Sequence, residues 1–186
     1  MSNGTVTLDQ LQKWIIHFAR EIEEHKDQLT RLDSAIGDAD HGINMDRGMK
    51  AVVAKIEADP PQSVEALFKS AGMTLVSSVG GASGPLYGTF FLRFGMASGE
   101  ANNLSADHLA KAFRSGLDGV VARGKAEAGD KTMFDALAPA LEALEAGLEK
   151  GGELAGALES AAIAAEEGRD ATIGMLAWLT ICWPAS

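Results

Sequence analysis

The sequence predicts an all-α fold: an antiparallel up-and-down helical bundle or barrel of about seven helices, closed as a single domain over residues 1–186. Three observations point to it. Apolar residues recur three or four positions apart along most of the chain, the spacing that puts them on one helix face. The composition has 6% aromatic residues and 5 prolines and is rich in Ala, Leu and Glu, which favours helix over strand. Strand-like alternation, internal repeats and low-complexity linkers are not visible, and glycines gather between the periodic segments. At 186 residues the chain is long enough to close one apolar core without disulfides or a structural metal.

The first helix is predicted over residues 8–29, where Leu8, Leu11, Ile15, Phe18 and Ile22 form one stripe and Gln, Lys and Glu cover the other side. An aspartate-rich loop follows. The second helix is predicted over residues 42–58 and ends at "DPP", because neither proline can donate a backbone bond within a helix. Ser63 and Glu65 open the third, which reaches the "SSVGGASGP" break. The fourth follows Pro85, which suits a first helical position. Its run "LYGTFFLRFGMA" carries so little charge that it should be the central element, buried nearly all round.

The fifth helix is predicted over residues 105–123 with Ser105 as its cap, and the sixth begins within "AGDKTMFDAL" and runs to Lys150. Gly151 and Gly152 stop it. A seventh starts near Leu154, has a weak point at Gly168 and continues into the apolar tail. In an up-and-down bundle every second loop lies at the same end. The loops at 33–42, 80–85 and 124–132 follow helices one, three and five, so they are expected to share one end.

A formal charge of -10, with no basic patch, argues against a nucleic-acid backbone or an anionic membrane as partner. The single cysteine, Cys182, cannot form an internal disulfide, which suits a reducing compartment. "MSNGTVTLDQ" lacks the charged-then-apolar pattern of a secretory leader, and "ATIGMLAWLTICWPAS" is too short to span a bilayer comfortably. A cytoplasmic protein is expected.

The densest chemistry lies in "DSAIGDADHGINMDRG", residues 33–48. Asp33, Asp38 and Asp40 cannot crowd together without a counter-charge, and a hard divalent cation such as Mg²⁺ or Ca²⁺ would supply it. Equally, Asp38 or Asp40 could cap the second helix. A calcium-binding helix-loop-helix register fails: from Asp38 the loop glycine comes at the fifth position, and Met49 stands where the bidentate glutamate belongs. His41 and Asn44 lie at the start of a helix whose free N–H groups could receive a phosphate, and both also read as ordinary first-turn polar residues. His17, His25 and His108 fall within ordinary helix patterns and read as structural.

"GGASGP" sets Gly80, Gly81 and Gly84 around Ala82 and Ser83, a backbone able to approach phosphate oxygens or simply a tight turn, with Ser83 as a cap. "GKAEAGDKT" misses the nucleotide-binding P-loop by one residue, since Asp130 is inserted before Lys131 and no strand precedes it. Thr132 and Asp135 suit a capping box, and Lys131 could still face an anion. Without a G-x-S-x-G elbow, a catalytic-cysteine setting or zinc spacing, covalent hydrolase and zinc chemistry lack support. Carboxylates and glycine turns at one bundle end suggest a metal-bridged phosphate.

Three blocks, "LDSAIGDADHGINMDRG", "GMTLVSSVGGASGPLYGTFF" and "GVVARGKAEAGDKTM", resemble the L subunit of bacterial dihydroxyacetone kinase, and the likeness runs from about Val6 to Ala177. The resemblance implies an eight-helix barrel with ADP or ATP held across one end through two Mg²⁺ ions. Asp33, Asp38 and Asp40 would hold the ions; His41, Gly42, Ile43 and Asn44 would line the phosphates. Ala82 and Ser83 would contact the nucleotide, and Gly124 and Met133 would bound the adenine and ribose pocket. It implies two partners, a K subunit carrying dihydroxyacetone and a phosphohistidine donor M subunit. A transcription regulator is a further possible partner.

An ATP-dependent short-sugar kinase component and a non-catalytic regulatory module are the competing functions. No residue of this chain is expected to act as a nucleophile. After "GRDATIGMLA" the family pattern continues with a basic stretch, an Asp-Pro-Gly lid and a last helix, whereas this chain reads "WLTICWPAS". Seven helices are therefore expected, with Trp178, Ile181 and Trp183 covering the seam or facing a second copy, and with weakened Mg-ADP binding.

Overall fold

Thr7 starts the first helix with a reciprocal box: its hydroxyl accepts the Gln10 N–H at 3.2 Å while the Gln10 side chain accepts the Thr7 N–H at 2.9 Å. From there α1 (Leu8–Asp33) presents Leu11, Ile15 and Ile22 inward, the stripe expected from its spacing. The computed structural model describes residues 4–35 and 37–175. Within them follow α2 (His41–Ala58), α3 (Val64–Ser78), α4 (Ser83–Ser98), α5 (Ala106–Gly124), α6 (Phe134–Glu149) and α7 (Leu154–Ala171), then a short 3₁₀ turn over Thr172–Gly174. The predicted all-α class holds, with seven α-helices among the described residues.

The chain divides into two compact units, Met1–Gly124 and Lys125–Ser186. In the first, α4 is the central element, as expected: of its residues only Arg93 and Met96 are exposed. Phe94 packs on Phe68 of α3 with ring centroids 4.1 Å apart and on Phe113 of α5 at 5.1 Å, and Trp14 of α1 meets the same cluster. One end of this unit gathers the starts of α1 and α3 against the segment after α4, through Leu8 N–H to the Asn102 carbonyl (2.8 Å) and Val64 N–H to the Ala101 carbonyl (2.9 Å). The other end gathers the close of α1 and the starts of α2 and α4.

The sequence did not predict a small antiparallel ladder, β1 (Thr5–Thr7) with β2 (Asn103–Ser105), in which Val6 pairs with Leu104. Three residues are too few for a period-two pattern to be legible. Ser105 caps α5 as expected, accepting the His108 N–H at 3.2 Å. His108 is structural too, its Nε2 lying 2.8 Å from the Ala97 carbonyl. Two bounds move. α1 runs four residues beyond the predicted end, to Asp33, and α4 begins at Ser83, so Pro85 is its third residue and not its first. A first-turn proline removes no helical bond, which is why either position is tolerated.

In the second unit α6 packs on α7. Gly168 is not a weak point: α7 continues through it, and a β-carbon there would run into the Asp135 carbonyl of α6 and lie 3.0 Å from Pro139 Cγ. The glycine permits close helix contact. Thr132 and Asp135 form half of the predicted box, since the Asp135 carboxylate accepts the Thr132 N–H at 2.9 Å but the Thr132 hydroxyl accepts from Phe134. Lys131 does not face an anion; its ammonium donates to the carbonyls of Thr172 (2.7 Å) and Met175 (3.2 Å), at the negative end of α7. Cys182 and the expectations for the apolar tail, including Trp178, Ile181 and Trp183, lie outside the described residues. Among the described residues no helix is long and apolar enough to cross a membrane.

Candidate functional site

The site grows from the close of α1. Asp33 is its last residue, and there the chain turns so that one carboxylate oxygen accepts the backbone N–H groups of Asp40 at 3.0 Å and His41 at 3.2 Å. Asp40 is the N-cap of α2, yet its side chain makes no capping bond. Neither Asp38 nor Asp40 makes the expected capping bond to the first turn of α2: Asp33 takes the Asp40 and His41 amides from the preceding helix, and among the described residues the next amides of the turn stay open. This leaves the carboxylates of Asp38 and Asp40 without a hydrogen-bond donor among the described residues.

Ala39 adopts the left-handed region at φ 62° between the two acids. One carboxylate oxygen from each of Asp33, Asp38 and Asp40 lies within 4.8 Å of the other two. Among the described residues no Lys or Arg pairs with any of them. Gly37 makes room for the cluster, since a β-carbon there would collide with Asp33 Oδ1. It is a supporting residue that sequence reading passed over, although it stands inside the aspartate motif.

The start of α2 offers donors beside these acceptors. Asn44 N–H reaches the Asp40 carbonyl at 2.9 Å, whereas the amides of Gly42 and Ile43 find no acceptor among the described residues. Gly42 is buried against α1, where a β-carbon would strike the Lys26 carbonyl, so packing alone demands a glycine there. Ile43 points outward at 53% exposure, while Asn44 is 7% exposed.

His41 Nδ1 lies 2.9 Å from the Ser83 hydroxyl, which joins the start of α2 to the start of α4. Asn44 Nδ2 lies 3.4 Å from where a Gly80 β-carbon would stand. The loops at 33–42 and 80–85 thus share one end, as the alternation of helices predicts. Ala82 is exposed as the N-cap of α4, and Gly124 ends α5 with its β-carbon position 3.1 Å from Leu86 Cδ2 in the first turn of α4. Met133 belongs to the second unit, where it is the half-buried N-cap of α6. Sequence reading also missed Arg47, three residues after Asn44, which donates to its side-chain oxygen at 2.8 Å.

Acceptors for a cation and donors for an anion at one helix junction are accompanied by a family match: the DAK2 domain matches residues 35–180. The chain belongs to the DAK2-domain family. This DAK2-family chain is 45% identical over 168 residues to the PEP-dependent dihydroxyacetone kinase, ADP-binding subunit DhaL, of Escherichia coli (strain K12), covering 90% of this chain and 80% of that protein. It is 44% identical over 140 residues to the corresponding ADP-binding subunit DhaL of kinase 1 from Listeria innocua, covering 75% and 70%.

The expected likeness to dihydroxyacetone kinase L subunits is thereby established. Among solved structures, the dihydroxyacetone kinase from C. freundii in complex with AMP-PNP and Mg²⁺ superposes with a TM-score of 0.69 at 29% identity. The match covers 83% of this DAK2-family chain, which spans 27% of that kinase.

Proposed function

We propose that the chain is the nucleotide-carrying subunit of a phosphoenolpyruvate-dependent dihydroxyacetone kinase, holding ADP or ATP with two Mg²⁺ ions where α1, α2 and α4 meet. The observation that carries this reading is the meeting of three carboxylates, free of ion pairs among the described residues, with amides at the start of α2 that none of those residues engages. Carboxylates alone recruit a cation and amides alone an anion; together they suit a phosphate bridged by metal. The likeness to ADP-binding subunits supports it.

The donor set fits magnesium, which favours hard oxygens and keeps positions for water and phosphate. Asp33, Asp38 and Asp40 would hold the ions, which would neutralise charge on the phosphoryl group in transit. Asp33 contributes with one oxygen already committed to two amides, so its other oxygen is aimed before any ion arrives. The amides of Gly42 and Ile43 would donate to phosphate oxygens at the start of α2, where the helix dipole favours negative charge. His41 and Ser83 hold the two helix starts together, Asn44 adds a side-chain donor, and Ala82 borders the same turn. Gly124 bounds the nucleoside side next to Leu86.

In this role the chain receives a phosphoryl group from the phosphohistidine M subunit and delivers it to dihydroxyacetone on the K subunit, in the cytoplasm. Titration calorimetry with ADP tests it: binding is expected with Mg²⁺ present and lost with a chelator. Reconstitution with K and M subunits should then yield dihydroxyacetone phosphate. No ADP binding in the presence of Mg²⁺ overturns the proposal, as does binding to a transcription regulator with no phosphoryl transfer. Retention of ADP through desalting separates a resident carrier from a kinase component with exchangeable nucleotide.

A further inference from the structure

We propose that Arg47 is a positioning residue for the phosphate-facing end of the first unit: it sets the orientation of the Asn44 carboxamide and ties the glycine turn after α3 to α2. Its guanidinium makes three contacts at once. Nη2 donates to Asn44 Oδ1 at 2.8 Å and to the Ser78 carbonyl at 3.1 Å, and Nε donates to the same carbonyl at 3.2 Å. Ser78 is the last residue of α3, and its carbonyl has no other partner among the described residues. Arg47 therefore satisfies an orphan helix-end acceptor at the point where the turn to Gly80, Gly81 and Ala82 begins.

The consequence for Asn44 follows from donor and acceptor inventory. A guanidinium only donates, so the amide oxygen must be the atom that faces it. The amide nitrogen is then forced to the other side, and it is the atom of Asn44 nearest the β-carbon position of Gly80, at 3.4 Å against 3.8 Å for Oδ1. That nitrogen donates to no group among the described residues. An otherwise flippable side chain, 7% exposed, is thus held with its donor edge towards the turn that joins α3 to α4.

Lysine cannot replace this arrangement fully, because an ammonium lacks the planar fork that reaches a side-chain oxygen and a backbone carbonyl in fixed directions. The inference rests on the proposed nucleotide site, since a fixed donor matters there only if a phosphate is bound. It assigns Arg47 no contact with nucleotide.

The test is a double-mutant cycle read in Mg-ADP affinity by calorimetry, with Arg47→Met and Asn44→Ala as the single changes, alongside thermal melts of each variant. Arg47→Met should weaken Mg-ADP binding by about tenfold, and by much less in the Asn44→Ala background, because the donor it orients is already gone. Additive losses, or a lower melting temperature with unchanged affinity, would show a purely structural strap and overturn the inference. Wild-type protein that fails to bind Mg-ADP sinks the nucleotide site itself, a separate outcome. Should Arg47→Met not fold, the same cycle with Arg47→Lys decides: coupling to Asn44 supports the role and additivity removes it.

Discussion

Asp33 accepts the backbone N–H of Asp40, seven residues ahead, at 3.0 Å, so the last residue of α1 caps the start of α2 across the intervening loop. Its carboxylate is both a brace and a member of the acid cluster. An asparagine in its place would keep an acceptor but lose the charge that favours a helix start, at a cost of about 1 kcal/mol. Asp33→Asn should therefore lower both the melting temperature and Mg-ADP affinity. Asp38→Asn should behave differently. Among the described residues Asp38 has no such bond, so removing its charge relieves like-charge repulsion and leaves the melting temperature equal or higher, while Mg-ADP affinity falls by about tenfold or more. Parallel melts and calorimetry of the two variants check the contrast.

Gly37→Ala should damage the site without damaging the fold. The added methyl would meet Asp33 Oδ1, the end of a movable side chain, so the carboxylate gives way and not the backbone. Mg-ADP affinity is expected to drop by about tenfold, with near-native helicity by circular dichroism. A variant that binds as wild type would show that the Asp33 carboxylate does not need its present position.

Ala39→Gly is expected to stabilise the free protein. At φ 62° an alanine bears a cost of roughly 1 kcal/mol that glycine does not, partly offset by glycine's greater freedom in the unfolded chain. A higher melting temperature in the absence of metal checks this. Loss of nucleotide affinity in the same variant would indicate that the strained residue helps aim Asp38 and Asp40.

Away from the site, Asp46 on α2 is 9% exposed and is neutralised by Lys50, whose ammonium also lies 2.8 Å from Glu23 of α1. The ammonium is 3.0 Å from Asp46 Oδ1 and 3.1 Å from Oδ2, and only the second contact has hydrogen-bond geometry. Hydrogen bonds from Lys50 to Glu23 and then Asp46 hold its ammonium above the ordinary lysine value of 10.5. Because the folded value is raised, the stabilisation is fully present below pH 10.5 and is lost as pH rises through the raised value. Lys50→Met should lower the melting temperature at neutral pH, and Asp46→Asn in the same chain should recover part of the loss, as melts of both variants would record.

Gly168→Ala should loosen the second unit by about 1–3 kcal/mol, since the backbone carbonyl of Asp135 cannot yield as a side chain can. Hydrogen exchange should report faster opening in α6 and α7, with α1 to α5 protected as before.

Much of this molecule is legible in one dimension. The stripe Leu11, Ile15 and Ile22 needs only helical spacing to be read, and the helix starts at Thr7, Ser63 and Ser105 carry their caps within three residues. The acid cluster is visible as density in the motif, and helix parity brings the turn at Ser83 to the same end as His41. Distant pairings are not legible. β1 meets β2 across nearly a hundred residues, Arg47 reaches the Ser78 carbonyl 31 positions away, and Lys131 is spent on Thr172.

By itself, then, the amino-acid order determined the class of fold, the order and approximate limits of its helices, and the crowding of three carboxylates beside a helix start. These depend on periodicity and capping, which act over a few residues. Only the tertiary structure decided which acid accepts the first amides of α2, that Asp38 and Asp40 find no donor among the described residues, which way the Asn44 amide turns, and that Gly168 is a contact and not a break. Each of those depends on a group brought close by packing. A hydrogen bond or a clash is set by separations of a few tenths of an ångström, and sequence spacing does not carry that distance.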